Sequence, residues 1–423
     1  MSPRSRRSRM LETIARSRFT PPALALGFAI FYLPSIGFGY RGNDFPLLTT
    51  DWAAFLDEPF AVAGRPLLSL SCVRIPTFAA LDGVVASSQF QHALNIGLFL
   101  AVVLAAVALA RRRRVPPVAL LFLVAALCHP SFLWAVTWIS QRSDLFLVLC
   151  LCLSLSSLGG GSPGPVGPGS IAWLTLASAS KSPFLFQNLA FAVVYARKRQ
   201  YGFAAVSVIL MGIFLYFGYA TYYATAVAGG GHGLFLLESG SDRYFATIAL
   251  FRSIKILEGV FYTFVPLSAY ALSAAWVLAV GSVVIACWVA ILVDLWRGPV
   301  GLGDLRRDPN FALVASIGLL LCVPYAFSSG LRIYVPATLF LYLAVGIAVG
   351  LRGHPGTRTV AGISIIAVIH LAGVWLNYPA SRTDCFELDR RHEARCQGTS
   401  VPAEDWNRFR GELVDRFVID VLR

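Results

Sequence analysis

Seven ionisable residues lie near the ends of apolar segments or, for Arg65, in the loop that follows the first one: Asp44, Arg65, His129, Arg142, Asp144, Lys181 and Arg332. An ionisable side chain at membrane depth costs about 2.5–3.5 kcal/mol on insertion scales, so each of these residues is a functional candidate. Acids and bases gathered at one membrane face predict a pocket for the anionic headgroup of a lipid. The alternative is that the same residues only anchor helix ends at the interface.

The composition shows which elements must position these residues. Of the 423 residues 57% are hydrophobic and 13% are charged, against about 25% charged in an ordinary soluble domain. A soluble fold cannot bury so much apolar surface. The sequence therefore predicts an all-α polytopic membrane protein and excludes a soluble enzyme, a disordered scaffold and a small secreted disulfide protein.

Hydropathy divides the chain into eleven apolar segments, which predict a bundle of about eleven transmembrane helices. Several of them are shorter than the ~20 residues that span a bilayer, and the shortest are 115–128, 170–180 and 183–196. Short helices are tolerated where they are buried among others or border a cavity. The segments are 20–38, 93–110, 115–128, 144–158, 170–180, 183–196, 202–225, 271–294, 311–329, 334–351 and 359–378.

The basic runs predict the orientation of the bundle. Alternation from a cytoplasmic N-terminus puts every run on the cytoplasmic side, as the positive-inside rule requires. The net charge of +13 is then a topology signal, and no nucleic-acid partner is expected. Residues 1–19 form a basic cytoplasmic tail and residues 20–378 the membrane domain. Its long first loop 39–92, loop 226–270 and the amphipathic tail 379–423 face outside, and 243–270 is predicted to contain an interfacial amphipathic helix.

The eight cysteines form no CxxC pair and no zinc-like cluster. Cys385 and Cys396 lie in the predicted external tail, where an oxidising compartment permits a disulfide between them. No metal site is predicted. Asp44 with Asn43 is a poor cation site by itself, which leaves a divalent cation as an open alternative.

Five short motifs resemble a known family and occur in its order over about residues 40–340. The stretch WAVTWISQRSDL, 134–145, resembles the "AVAWISGRSDLL" segment of TMTC-type membrane proteins. Arg65-Pro66-Leu67 with His92-Ala-Leu-Asn95 is similar to their "YRPL … FHLVN". The others are His129-Pro130, Ser180-Lys181 and Arg332-Ile-Tyr334-Val-Pro336, which resemble "HP", "LSKE" and "RYLYLP". Asn43-Asp44 replaces the family's usual paired acids, and no tetratricopeptide repeats follow.

The resemblance implies a GT-C superfamily glycosyltransferase, similar to protein O-mannosyltransferases. Such an enzyme moves a sugar from a polyprenyl-phosphate carrier to a protein or glycolipid acceptor on the outer face, with inversion. The implied location is the bacterial inner membrane, with the N-terminus cytoplasmic and the C-terminus outside.

The resemblance also implies roles for individual residues. Asp44 stands where the superfamily keeps its catalytic acid, and inverting transfer needs a base for the acceptor hydroxyl. Lys181 and Arg332, with Arg142 and His129 behind them, are the candidates for the donor phosphate, which needs cations more than a general acid. Candidate acceptor or sugar contacts are Asp51, Arg65 and Trp138.

Two other classes of protein compete with this hypothesis. A lipid or glycoconjugate flippase is expected to carry charges at mid-helix and broken helices in matched halves. A non-catalytic scaffold would leave the clustered Asp44, Lys181 and Arg332 without a purpose. An O-antigen polymerase or ligase is a near neighbour of the enzyme hypothesis.

Overall fold

The computed structural model describes residues 10, 12–38, 88–138, 141–158, 166–180, 185–213, 242–266, 274–298, 301–326, 334–352, 356–381, 385–388 and 394–396. Within these ranges the protein is a helical bundle followed by two short strands. The helices are α1 Thr20–Tyr32, α2 Ser88–Arg112, α3 Ala119–Leu127, α4 Pro130–Thr137, α5 Arg142–Ser157, α6 Pro168–Ser180, α7 Gln187–Arg197, α8 Tyr201–Ile213, α9 Asp242–Phe264, α10 Ala274–Arg297, α11 Leu302–Arg307, α12 Pro309–Leu320, α13 Val335–Leu351 and α14 Thr357–Ser381. The strands β1 Cys385–Leu388 and β2 Ala394–Cys396 pair antiparallel.

The protein is a membrane-embedded helical protein. Among the described residues, four stretches are long and apolar enough to cross a membrane: Thr20–Gly37, Gln89–Arg112, Trp276–Arg297 and Thr357–Tyr378. On α10 the exposed Trp276 and Trp296 stand twenty residues apart, or about 30 Å of helix rise, which matches the hydrocarbon core of a bilayer. Tryptophan is enriched at both membrane–water interfaces, so this pair indicates where α10 enters and leaves the apolar layer.

The count of eleven spans is not reached by the described helices. Four spans are present, or five if the bent pair of α3 and α4 is one span. Each predicted apolar segment does contain a helix, but several are short: α3 has 9 residues and α7 has 11. Hydropathy detects apolar runs, whereas a crossing also needs about 20 residues of continuous helix.

Helix α3 does not stand alone, because α4 follows it after a bend of 50°. Hydropathy predicts no apolar segment between 115–128 and 144–158, whereas Pro130–Thr137 forms α4 in the structure. The bend falls at the Cys128-His129-Pro130 step, where the proline lacks the N–H that would continue the α3 ladder. Helix α13 covers the pair and packs closely on α3, since a Cβ on Gly346 would stand 2.7 Å from the Cα of Ala119.

Helices α5 and α6 form an antiparallel hairpin held by hydroxyl groups. The Ser154 hydroxyl donates to the Ser170 carbonyl at 2.7 Å, and the Ser170 hydroxyl lies 2.8 Å from that of Tyr195 on α7. Because the two helices run in opposite directions from this contact, Ser180 at the end of α6 lies at the level of Asp144 near the start of α5. The hairpin therefore returns the chain to the end of the bundle where α5 begins.

Basic residues gather at the opposite end of the bundle, which we call the basic end. Arg111 donates through Nε to the Ala15 carbonyl at 3.0 Å, so the N-terminal segment lies beside the end of α2. Arg113 bonds to the Leu155 carbonyl at the end of α5, and Asn310 of α12 donates to the Arg113 carbonyl. Lys198 donates to the Leu158 carbonyl at 3.1 Å, and burial together with the Arg113 charge lowers its pKa from the ordinary value. The basic runs of the sequence thus meet at one end, as one topology requires.

The segment predicted as an interfacial amphipathic helix, 243–270, contains α9, Asp242–Phe264. Helix α9 is not one of the four long spans, although it has 23 residues. Its Lys255 forms an ion pair with Glu258 at 2.9 Å. Both side chains of this ion pair are mostly buried, 15% and 22% exposed, and the interfacial position of the helix stays a prediction.

Candidate functional site

Several helices bring polar residues together at the end of the bundle opposite the basic end, which we call the polar end. Helix α2 begins here, α5 begins here, and α4 ends here. The side-chain amide of Asn95 on α2 donates to the carbonyls of Val136 and Trp138 at 3.1 and 3.3 Å. Phe38, the last described residue after α1, contacts the ring of Tyr378 near the end of α14, with their centroids 5.8 Å apart. The polar end is therefore built by α1, α2, α4, α5 and α14.

Arg142 is the central cation of this end, and it is only 3% exposed. Its Nε donates to Asn95 Oδ1 at 2.6 Å, and its Nη2 donates to Gln91 Oε1 at 2.7 Å and to the Gln91 carbonyl at 3.0 Å. These bonds join the first turn of α5 to the first turns of α2. Arg142 is thus placed to position α2 against α5, and two of its three nitrogens are already engaged by neutral acceptors.

Asp144 lies fully buried in the first turn of α5, two residues after Arg142. A carboxylate in the first turn is stabilised by the positive end of the helix dipole. Trp138, half-buried at the end of α4, stands with its ring centroid 6.4 Å from that of Trp134. Trp138 therefore lies at the polar end, where the resemblance implied a sugar or acceptor contact, and that role stays a prediction.

A second polar cluster lies deeper in the bundle, at the bend between α3 and α4. His129 caps α4, because its Nδ1 accepts from the Ser131 N–H at 3.1 Å. The ring of His370, near the middle of α14, packs edge-to-face on His129 with centroids 4.9 Å apart. Tyr342 of α13 lies beside both rings, 6.4 Å from His129 and 6.1 Å from His370.

Hydrogen bonding fixes the tautomer of His370. Its Nδ1 lies 3.2 Å from the Ala125 carbonyl, which can only accept, so the proton resides on Nδ1. Nε2 then carries a lone pair, and this buried atom has no hydrogen-bond partner within the described ranges. His129 and His370 are both fully buried, so the pair is a polar element inside the helical bundle.

Three tyrosine rings, of Tyr262, Tyr325 and Tyr334, pack together beside the segment that carries Arg332. Tyr334 stacks on Tyr262 at 6.3 Å and meets Tyr325 edge-on at 4.9 Å. Gly259 makes this possible, because a Cβ there would collide with the Tyr325 ring. These three rings join α9 to the start of α13.

Five predicted site residues lie outside the described residues: Asp44, Asp51, Arg65, Lys181 and Arg332. The described residues next to these segments are Phe38, Ser88, Ser180 and Tyr334. Phe38 contacts His92 on α2 at 6.2 Å, and Ser180 lies at the level of Asp144. The structure thus brings His129, Arg142 and Trp138 into one half of the bundle. The described residues that flank the segments of the other candidates lie in the same half.

The sequence reasoning overlooked three residues of this region. His370 is an ionisable residue in the middle of the apolar segment 359–378, and this position alone marked it as a candidate. Gln91 precedes and Asn95 ends the His92-Ala-Leu-Asn95 motif in the first turns of α2, but no spacing rule indicated that Arg142, far along the chain, binds them.

In the tail, Cys385 is the register partner of Cys396 in the antiparallel β1–β2 pair. Directly opposed residues in such a pair have Cα atoms about 4.5–5.5 Å apart, which is within the range that a disulfide requires. The disulfide between them stays a prediction. The predicted amphipathic helix of the last residues lies outside the described ranges.

Within the described ranges, no group of three or more His, Cys, Asp or Glu residues is arranged to hold a metal ion. Comparison with known proteins found no match to any protein-family model, to any curated protein or to any solved structure.

Proposed function

We propose that the protein is a GT-C-type glycosyltransferase that takes a sugar from a polyprenyl-phosphate carrier and passes it to a protein or glycolipid acceptor at the polar end. The observation that carries the proposal is the buried hydrogen-bonded cluster of Arg142, Asn95 and Gln91 at the end of the bundle opposite the basic runs. A buried cation inside a membrane protein is costly, and it is maintained where function needs it. The described parts of the motifs that resemble the family, at His92–Asn95, His129-Pro130, Ser180 and Tyr334, lie in the same half of the bundle.

The proposed chemistry needs a base for the acceptor, cations for the leaving phosphate and a residue that positions the helices. Asp44 is the base that takes the proton from the acceptor hydroxyl. Lys181 and Arg332 hold the leaving phosphate, with His129 behind them. Because two nitrogens of Arg142 are bound to neighbouring helices, we assign it the positioning of α2 and α5. A polyprenyl phosphate is a good leaving group, so cations suffice and a general acid is not required.

The proposed orientation follows from the distribution of charge. The basic end lies on the cytoplasmic side of a bacterial inner membrane, and the polar end, the loops 39–92 and 226–270 and the tail 379–423 face outside. We include in the proposal a GT-C-like bundle of about eleven spans, in which the shorter apolar helices lie among the longer ones.

A flippase for a lipid or glycoconjugate is the second candidate, and one observation favours it. The 50° break between α3 and α4 carries His129, which packs on the mid-helix His370. Broken helices with polar residues at the break are typical of transporter binding sites.

Two experiments test the proposed function. Mass spectrometry of glycans on cell-envelope proteins and lipids, with and without this chain, should show the loss of one sugar on one acceptor class. Proteoliposomes then separate the two candidates, because a flippase moves a labelled glycolipid across the bilayer without consuming it. Vectorial movement with an unchanged donor would refute the enzyme and support the flippase.

A further inference from the structure

Arg352, at the C-terminal end of α13, is a buried cation that the proposed reaction does not use. It is 9% exposed, and neither Nε nor Nη1 has a hydrogen-bond partner in the part of the chain that the structure describes. A guanidinium is always charged in proteins and has five N–H donors. Burying such donors without a partner costs free energy, so these N–H groups favour the binding of a hydrogen-bond acceptor.

The packing around Arg352 holds its side chain in one place. The aliphatic part of Arg352 lies on Gly298, just past the end of α10, and a Cβ at Gly298 would stand 2.9 Å from Arg352 Cδ and 3.0 Å from its Cβ. No side chain other than hydrogen fits between the two. The close approach of Arg352 to α10 thus depends on this glycine.

The N-terminus of α14 reaches the same face of α10. The hydroxyl of Thr359, in the first turns of α14, donates to Asp294 Oδ2 at 2.8 Å, and Gly356 also contacts that carboxylate. Asp294 and Gly298 are four residues apart, or about 6 Å of helix rise, so they lie on one side of α10. The side chain of Arg352 and the positive end of the 25-residue α14 therefore pack on neighbouring turns of α10.

Charge and depth indicate what this place can bind. Exposed Arg297 and Arg358 flank it, and the first turn of α14 contains no acidic residue. The one carboxylate found beside it in the described part, Asp294, already accepts from Thr359. Trp296, 78% exposed and next to Arg297, places this level at the membrane–water interface, where lipid phosphates lie.

We propose that the basic end binds the phosphate group of an anionic lipid between the Arg352 guanidinium and the first turn of α14, with the end of α10 as the floor. The site recognises a phosphate with a net negative charge, because helix N-termini and arginine together favour such anions. It lies at the end of the bundle opposite the polar end, so it is separate from the proposed transfer site. Its occupant stabilises the contact of α10, α13 and α14.

Native mass spectrometry of the full chain, purified in detergent and stripped of lipid, tests the proposal. Phosphatidylglycerol is titrated into the wild type, R352Q and R307Q. The wild type should retain phosphatidylglycerol in preference to phosphatidylcholine, and R352Q should bind it at least roughly tenfold more weakly, because hydrogen bonds to charged groups are lost. R307Q is the matched control, since Arg307 is at the same end but has an 85% exposed side chain.

A second pair of variants covers the case that R352Q does not fold. G298A changes no charge but pushes the Arg352 stem away, so it should also weaken binding, whereas R352K keeps the charge and should bind with intermediate strength. A separate arm adds inorganic phosphate alone. Displacement of the lipid by millimolar phosphate, with the same dependence on Arg352, would identify free phosphate as the source of the anion. Equal lipid binding by the wild type, R352Q and R307Q would overturn the proposal and leave Arg352 as a partner of the helix dipole only.

Discussion

Replacement of Arg142 by methionine should destabilise the bundle far more than replacement of an exposed arginine. The change removes the donors of three hydrogen bonds, at 2.6, 2.7 and 3.0 Å, and leaves Asn95 Oδ1 and Gln91 Oε1 buried without that partner. Each hydrogen bond to a charged group stabilises the fold by about 1.5–3 kcal/mol. The substitution also removes the free-energy cost of burying the guanidinium charge, which offsets part of the loss. We therefore expect the free energy of unfolding to fall by about 3–5 kcal/mol.

Reversible unfolding in mixed micelles of sodium dodecyl sulfate measures this difference. Arg307→Met is the control, because Arg307 is largely exposed, and its effect should stay within about 0.5 kcal/mol. Arg142→Lys should fall between the two, since a point-charge ammonium cannot reproduce the fork that reaches both Asn95 and Gln91. A loss below about 1 kcal/mol in Arg142→Met would refute the assignment of Arg142 as the residue that joins α2 to α5.

Three further predictions concern packing, the tail and the donor phosphate. Gly346→Ala should lower the free energy of unfolding by about 1–3 kcal/mol in the same assay, because the new Cβ would stand 2.7 Å from a backbone Cα of α3. The control Gly27→Ala should be neutral or stabilising, because a Cβ there would have no atom within 4 Å. Cys385 and Cys396 should be found in one disulfide-linked peptide pair by non-reducing digestion and mass spectrometry of protein isolated from intact cells, and two free alkylated thiols would disprove this. Lys181→Gln should lower kcat for transfer more than it raises KM for the polyprenyl-phosphate sugar, and an effect confined to KM would assign Lys181 to ground-state binding only.

The sequence predicted the membrane class and the position of nearly every helix, because apolar runs and basic clusters are local signals. It identified 115–128, 170–180 and 183–196 as short segments, where the helices have 9, 13 and 11 residues. It did not predict the α3–α4 bend at His129-Pro130, which depends on a cap and on the helix that covers it. The Arg142–Asn95 bond could not be predicted either, because its partners are 47 residues apart and meet only when α2 packs on α5. His370 was predictable in principle, as an ionisable residue in an apolar segment, although its contact with His129 was not.

The central claim is that this chain transfers a sugar from polyprenyl phosphate with Asp44 as the base. The most direct measurement follows the release of polyprenyl phosphate and the glycosylation of an acceptor by purified protein in detergent, where a transporter has no second compartment. The wild type should release one polyprenyl phosphate for each sugar transferred, and Asp44→Asn should retain its fold while turning over about 10²–10⁴-fold more slowly. No release by the wild type with any donor and acceptor pair, or near-normal turnover by Asp44→Asn, would contradict this claim.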